Sequence, residues 1–292
     1  MKKNIYEEIT NIILEQLENG VIPWHKPWSG GGFAVSHATG KYYSLLNQML
    51  LGMSGGEWLT FKQVQEAGGR VKKGEHGKPV VFWSFLQKKD EDGELIINDI
   101  TGEPETIPYL KKYIVFEVSQ CDGIDYKHID PKTFAGFEID PIEEAEKVAS
   151  EYISRENISF SDNSTDAAYS PSMDAVRVPN ISRFENAEEY YSTLYHELTH
   201  STGHKARLDR QTLTKTAAFG SNDYSKEELV AEMGSAMSLG KLGISTDGTT
   251  KNSAAYIKGW ADKIRHDTTH RLVVSAASQA EKAVKMIFGE EA

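Results

Sequence analysis

The sequence predicts an α+β protein in two parts: a small mixed α+β domain, then a domain of helices around a short mixed sheet. Three observations predict it. Between residues 78 and 118, runs rich in β-branched and aromatic residues (KPVVFWSF, later KKYIVFEV) are separated by an acidic turn signal. From residue 187 onward, apolar residues recur at helical spacing in four long segments. Between these regions lie three short strand-like runs bounded by Ser, Asn, Asp and Pro.

In chain order, Ile5, Ile9, Ile12, Ile13 and Leu17 share a helical face, and Gly20 stops that helix. PWHKPWSGGG, residues 23–32, is a shaped loop. A short helix is expected at 44–53. A second is expected from Thr60, a good N-cap, to Gly68, a good stop. Residues 78–85, 94–98 and 111–118 read as strands, with DEDG at 90–93 as a turn. The pattern breaks over 120–141, so the expected division is a first domain over 1–125, a linker over 126–140 and a second domain over 141–292. A helix at 141–155 and strands at 158–160, 168–170 and 175–178 come next. Helices are expected at 187–202, 226–242, 254–266 and 269–287.

Composition narrows the class. The 292 residues are 39% hydrophobic and 26% charged, ordinary for a soluble globular protein. No apolar run reaches the roughly 18–20 residues that cross a bilayer, and Glu7, Glu8 and Glu15 interrupt the start of the chain where a signal peptide would be apolar. The single cysteine, Cys121, excludes an intrachain disulfide and a cysteine-based zinc site. A cytoplasmic protein is expected. The net charge of -11 argues against a general nucleic-acid coat. Yet residues 1–89 carry 11 basic against 7 acidic side chains, and 90–292 carry 21 against 36, so an anionic partner is expected for the first part.

The strongest motif is YYSTLYHELTH, ending at His200. His196 and His200 stand four residues apart on a predicted helix, so both imidazoles project from one face within reach of one ion. Glu197, beside the first of them, is placed to act as general base toward water activated by that ion, as in metallopeptidases. A catalytic zinc wants three protein ligands and an open position. His204 lies one turn further, but Gly203 is expected to end the helix and turn it away. KEELVAEMGSAM offers a better donor: Glu228 and Glu232 share a face in E-x-x-A-E, so one can bind metal while the other orients a histidine. Resemblance to metallopeptidases with E-x-x-A-D after their histidine pair assigns Glu228 to the metal and Glu232 behind it, with the reverse left open. One Zn2+ per chain is expected. DAVRV, residues 174–178, reads as an edge strand lining a cleft where an extended peptide would pair, making Asp174 and Arg177 candidate substrate contacts. Tyr224 is a candidate donor to a developing oxyanion.

In the first part, Trp24, His25, Lys26 and Trp28 interleave aromatics with cations. Tyr43 and Trp58 extend the aromatic content, and Lys62, Arg70, Lys72, Lys73 and Lys78 the basic content. Aromatic faces beside Lys and Arg are what single-stranded nucleic acid requires.

The segments IPWHKPW, TGKYYSLLNQMLL and EWLTFKQVQEAGGRVKKGEHGKPVVFW resemble the N-terminal domain of ArdC-type antirestriction proteins, a domain also found at the front of some plasmid primases. YYSTLYHELTHSTGHKARLDR followed by FGSNDYSKEELVAEMGSA looks like the zincin-like metallopeptidase domain of the same proteins. The resemblance covers most of the chain in family order, departing at Ser201, where an aromatic is common, and in a longer linker. It implies single-stranded DNA binding through Trp24, Lys26, Trp28, Tyr43, Asn47, Lys62, Arg70, Lys72, Lys73 and Lys78. It also implies a protein target and a role in shielding the DNA of mobile elements from restriction. Two other readings are a non-proteolytic DNA-binding protein with a structural metal, and a general cytosolic metallopeptidase. The absence of P-C-x-x-C argues against a zinc nucleobase deaminase.

Overall fold

The computed structural model describes residues 4–24, 33–90, 92–98, 103–129, 141–214, 222–244 and 254–290. The first amphipathic repeat forms α1 (Ile5–Glu18), capped by Asn4, which accepts from the Tyr6 N–H. Then come β1 (Val35–Ser36), α2 (Leu45–Leu50), β2 (Glu57–Thr60), α3 (Phe61–Glu66) and β3 (Arg70–Val71). β4 (Lys78–Gln87), β5 (Thr106–Glu117) and β6 (Cys121–Asp122) complete the first part. Thr60 starts α3 through a reciprocal bond with Gln63. The main sheet has the order β1-β2-β5-β4, antiparallel except for β1 with β2, and β3 pairs with β6.

β4 and β5 form a long arm, in register from Lys78↔Val115 to Gln87↔Thr106. The strand expected at 94–98 is not one. That segment meets the arm only through isolated bridges, Lys89↔Leu95 and Ile97↔Pro104, and Pro104 has no N–H to extend a ladder. β5 instead begins earlier than the expected 111. It accommodates Pro108 because its other edge meets β2 only from Val115 to Glu117.

Two buried amides tie α2 to its surroundings. The Asn47 side chain donates to the Val81 carbonyl and accepts from the Val81 N–H, both at 2.8 Å. The Gln48 side chain does the same for Ala34 and also donates to the Tyr43 carbonyl. Each amide acts as a substitute strand partner, satisfying backbone groups that burial would otherwise leave unpaired. Buried Glu57 is a second tie. It accepts from the N–H groups of Lys127, His128 and Ile129 and lies 2.6 Å from His37 Nδ1. Burial works to raise its pKa, but these donors outweigh it and hold the carboxyl below its ordinary value. Residues 127–129 of the expected linker are therefore fastened to β2 and Tyr126 to Glu117 of β5, while 130–140 lie outside the described residues.

The second part comprises α4 (Pro141–Arg155), β7 (Ser159–Ser161), β8 (Ala168–Ser170), β9 (Ala175–Arg177), α5 (Ala187–Thr202), α6 (Gln211–Thr214), α7 (Asn222–Leu242), α8 (Ala254–Arg265) and α9 (Leu272–Ile287). From Glu227 to Leu242 α7 is buried almost all round, as befits a central helix. It joins two apolar clusters. In one, its Leu229, Val230 and Met233 pack with Ile13 and Leu17 of α1, Met49 of α2, Trp260 of α8 and Ala277 of α9. In the other, its Leu239 and Leu242 pack with Tyr152 of α4, Val176 of β9 and Leu194 and Leu198 of α5. The helices at both ends of the chain thus share a core. No helix among the described residues is long and apolar enough to cross a membrane.

Candidate metal centre

Asn186 starts α5 by accepting from the Glu189 N–H, and Glu188 and Glu189 sit in its first turn, where carboxylates favour the helix dipole. One turn apart on this helix, His196 and His200 bring their Nε2 atoms to 3.2 Å. Glu228 of α7 meets both: its carboxylate oxygens lie 3.5 Å from His196 Nε2 and 3.6 Å from His200 Nε2. Among the described residues, these three are the group of His, Cys, Asp and Glu side chains close enough to share one ion. For a tetrahedral ion with ligand bonds of about 2.0–2.1 Å, donor atoms should stand roughly 3.3–3.4 Å apart. The nitrogen–nitrogen distance is close to that edge, each nitrogen faces one of the two Glu228 oxygens, and two imidazoles with one carboxylate are a donor set of catalytic zinc.

A second carboxylate stands behind each histidine. Glu232 approaches His196 Nδ1 to 3.5 Å, and that buried nitrogen has no hydrogen-bond partner among the described residues. Glu227 lies 3.2 Å from His200 Nδ1. One helix, α7, supplies all three acids. Burial alone would lower the His200 pKa, but the bond to Glu227, with the charges of Glu197 and Glu228, outweighs it and raises the value.

Sequence reasoning missed Glu227 and its partner Arg210. Buried Arg210 grips Glu227 through Nη2 at 2.6 Å and Nε at 3.1 Å, and the Thr212 hydroxyl donates to the same carboxylate at 2.6 Å. Burial opposes the charge on Glu227, but His200 and Arg210 outweigh it and hold its pKa at about 2. The Arg210 guanidinium also donates to the Thr199 carbonyl, fastening itself to α5. Two glycines make room. A Cβ on Gly203 would stand 2.8 Å from the Arg210 guanidinium. Gly203 does cap α5, as expected, but with a right-handed backbone (φ -78°), so space rather than left-handed geometry calls for glycine. A Cβ on Gly234 of α7 would stand 2.5 Å from the Thr199 side chain, which lies on α5 between the two histidines.

The expected edge strand is corrected. β9 is the middle strand of the order β7-β9-β8, parallel to β7 and antiparallel to β8, so both its edges are taken. Nor does Asp174 face a substrate freely: Arg207 pairs with it and the Tyr169 hydroxyl donates to it at 2.8 Å, fixing the β8–β9 turn against the end of α5. Arg177 pairs with exposed Asp166 at 2.9 Å and is near enough to Glu197 to feel its charge. His204 lies 3.9 Å from Asp174 and outside the metal trio. The Tyr224 side chain lies outside the described residues.

The eight described residues among the ten expected DNA contacts do not form one surface. Trp24, Tyr43 and Asn47 are corrected: all three are buried in the core, packing or bonding to backbone. Lys78 is half-buried, donating to the Leu51 carbonyl and lying over the Trp58 ring. Lys62 pairs with Glu66 and Arg70 with Asp122, both at the surface, while Lys72 donates to the Ser119 carbonyl. Lys73 is exposed, and Lys26 and Trp28 lie outside the described residues.

Comparison with known proteins agrees with this architecture. Residues 3–116 match the profile of the N-terminal domain of anti-restriction factor ArdC, and residues 147–279 that of a zincin-like metallopeptidase. Crystal structures of the antirestriction protein ArdC from plasmid R388, metal-free and Mn(II)-bound, superpose with a TM-score of 0.70 each. Identity is 33% and 32%, over 97% of this chain and 96% and 97% of theirs. The uncharacterized protein y4eC of Sinorhizobium fredii is 31% identical over 99% of this chain and 92% of its own length. Two DNA primases TraC of Escherichia coli are 32% and 34% identical, but the chain spans only 28% and 20% of their length.

Fold and matches together define a zincin-like metallopeptidase domain preceded by an ArdC-type N-terminal domain. The chain belongs to the ArdC family of antirestriction proteins.

Proposed function

We propose that this chain is an antirestriction protein that holds single-stranded DNA through its first part and acts on a protein target through a metallopeptidase-type site in its second. One Zn2+ per chain is held by His196, His200 and Glu228, with Glu232 and Glu227 orienting the two imidazoles. The observation that carries this reading is the convergence of the His196 and His200 Nε2 atoms, 3.2 Å apart, on the Glu228 carboxylate, whose two oxygens lie 3.5 and 3.6 Å from them, with Glu197 beside a ligand histidine. Zinc, when bound, supplies the Lewis acid that makes water a nucleophile near neutral pH. Glu197 takes the proton of the attacking water and returns it to the leaving amine. A structural metal has no use for such a base. Arg177 meets a carbonyl or carboxylate of the target, and Tyr224 remains the candidate donor to the oxyanion. Exposed Lys62, Arg70, Lys72 and Lys73 contribute phosphate contacts. A cytoplasmic setting, with no membrane partner, belongs to the same reading and is supported by the lone cysteine.

Glu197→Gln tests it. The variant is expected to keep one zinc per chain by metal analysis and to lose hydrolysis of a trapped protein target by about 10²–10⁴-fold. Purified wild-type protein without stoichiometric metal would sink the metal centre. Equal protection from restriction in cells by variant and wild type would remove catalysis from the mechanism.

A further inference from the structure

We propose that single-stranded DNA lies in the cleft between the β4–β5 arm and α9, so that the last helix of the metal-bearing part supplies one wall of the DNA site. The proposal rests on the single-stranded DNA reading given above. The cleft has a volume of about 260 Å3. Its floor is apolar, formed by buried Val81 and Leu110. Trp83 of β4 forms one wall, and Ser278, Lys282 and Lys285 of α9 form the other. Those three are spaced four and three residues apart, so they line one face of the helix.

Trp83 is 50% exposed, and Phe85, two residues on and therefore on the same face of the arm, is 64% exposed. Trp24, Trp58 and Trp260 are all buried, which makes Trp83 the described tryptophan with a face open to stacking. Neither Lys282 nor Lys285 makes an ion pair among the described residues. The one acid of the cleft, Glu281, already accepts from the Leu45 N–H at the start of α2. An aromatic wall facing unpaired ammonium groups suits a strand that stacks a base on one side and presents phosphate on the other. A peptide is the competing occupant, since β4 is the outermost strand of its sheet among the described residues, although Asn47 already takes the Val81 groups on that edge. The two lysines favour the polyanion.

The test is fluorescence anisotropy of labelled oligo(dT) with the full chain, titrated at several salt concentrations. Trp83→Leu keeps an apolar side chain and is expected to weaken binding about ten-fold through lost stacking. Lys282→Ala/Lys285→Ala is expected to lower the slope of log K against log salt by roughly 1.4, about 0.7 for each lost phosphate contact. Both variants should match the wild type in melting temperature and metal content. An unchanged slope in the lysine variant overturns the proposal, the more so if Lys72→Ala/Lys73→Ala lowers it instead. Loss of affinity in Trp83→Leu with no lysine effect places the strand on the arm alone, away from α9, and overturns it as well. If the wild type binds no DNA, the DNA reading itself fails; if it binds and no cleft substitution matters, only the cleft fails.

Discussion

Arg210 and Glu227 form a buried, two-pronged ion pair directly behind His200, with Nη2–Oε1 at 2.6 Å and Oε1 in turn 3.2 Å from His200 Nδ1. The pair fixes the imidazole that faces Glu228. Glu227→Gln takes the counter-charge from a buried guanidinium and is expected to cost on the order of 3–5 kcal/mol in urea unfolding. Metal affinity, read by competition with a chromophoric chelator, should fall about 10–100-fold. Adding Arg210→Met should restore much of the stability but not the affinity, because the histidine still lacks its carboxylate. Recovery of both would show that Glu227 only balances charge.

Gly234→Ala probes the approach of the two helices that carry the candidate metal ligands. Its methyl group has no room beside Thr199, so α7 must move off α5. A loss of about 1–3 kcal/mol is expected from overpacking, together with weaker metal binding because Glu228 and Glu232 ride on the same helix. Removing the hydroxyl and methyl in Gly234→Ala/Thr199→Ala should recover part of both.

Asn47→Ala tests whether that side chain is structural. It would leave the buried Val81 N–H and C=O without partners, at about 1–3 kcal/mol for each group, measured as a shift in the urea midpoint. DNA affinity at a temperature where the variant stays folded should change little. A large change there would return Asn47 to the DNA surface.

Acid should loosen the first part through Glu57. Its folded pKa lies below the ordinary 4.5, so its contribution is fully present above about pH 4.5 and is lost as pH falls through the folded value. Thermal melts between pH 3 and 7 should therefore show stability falling on the acid side. Glu57→Gln should be less stable at pH 7 and lose less of its remaining stability on acidification. Parallel curves for the two proteins would rule out the carboxylate as the source.

The histidine helix and the Glu228 helix are legible because each depends on local spacing: four residues between imidazoles and an apolar face beneath them. Arg210 is not, since it meets Glu227 across 17 residues with no periodic pattern to announce it. Strands β1, β3 and β6, of two residues each, are too short for an alternation to register. β9 reads as an edge strand because its sequence looks the same in either position; only β7, pairing in parallel from before it in the chain, encloses it. The aromatics and amides assigned to DNA misled for a related reason. Composition counts Trp24, Tyr43 and Asn47 but does not say which way they face.

α7 presses Leu229, Val230 and Met233 against the opening helices of the chain while Glu227, Glu228 and Glu232 attend the histidines on its other side. The peptidase-like portion therefore cannot be snipped out as a free-standing cartridge, because excision would strip the lining from the scaffold its acids hang on.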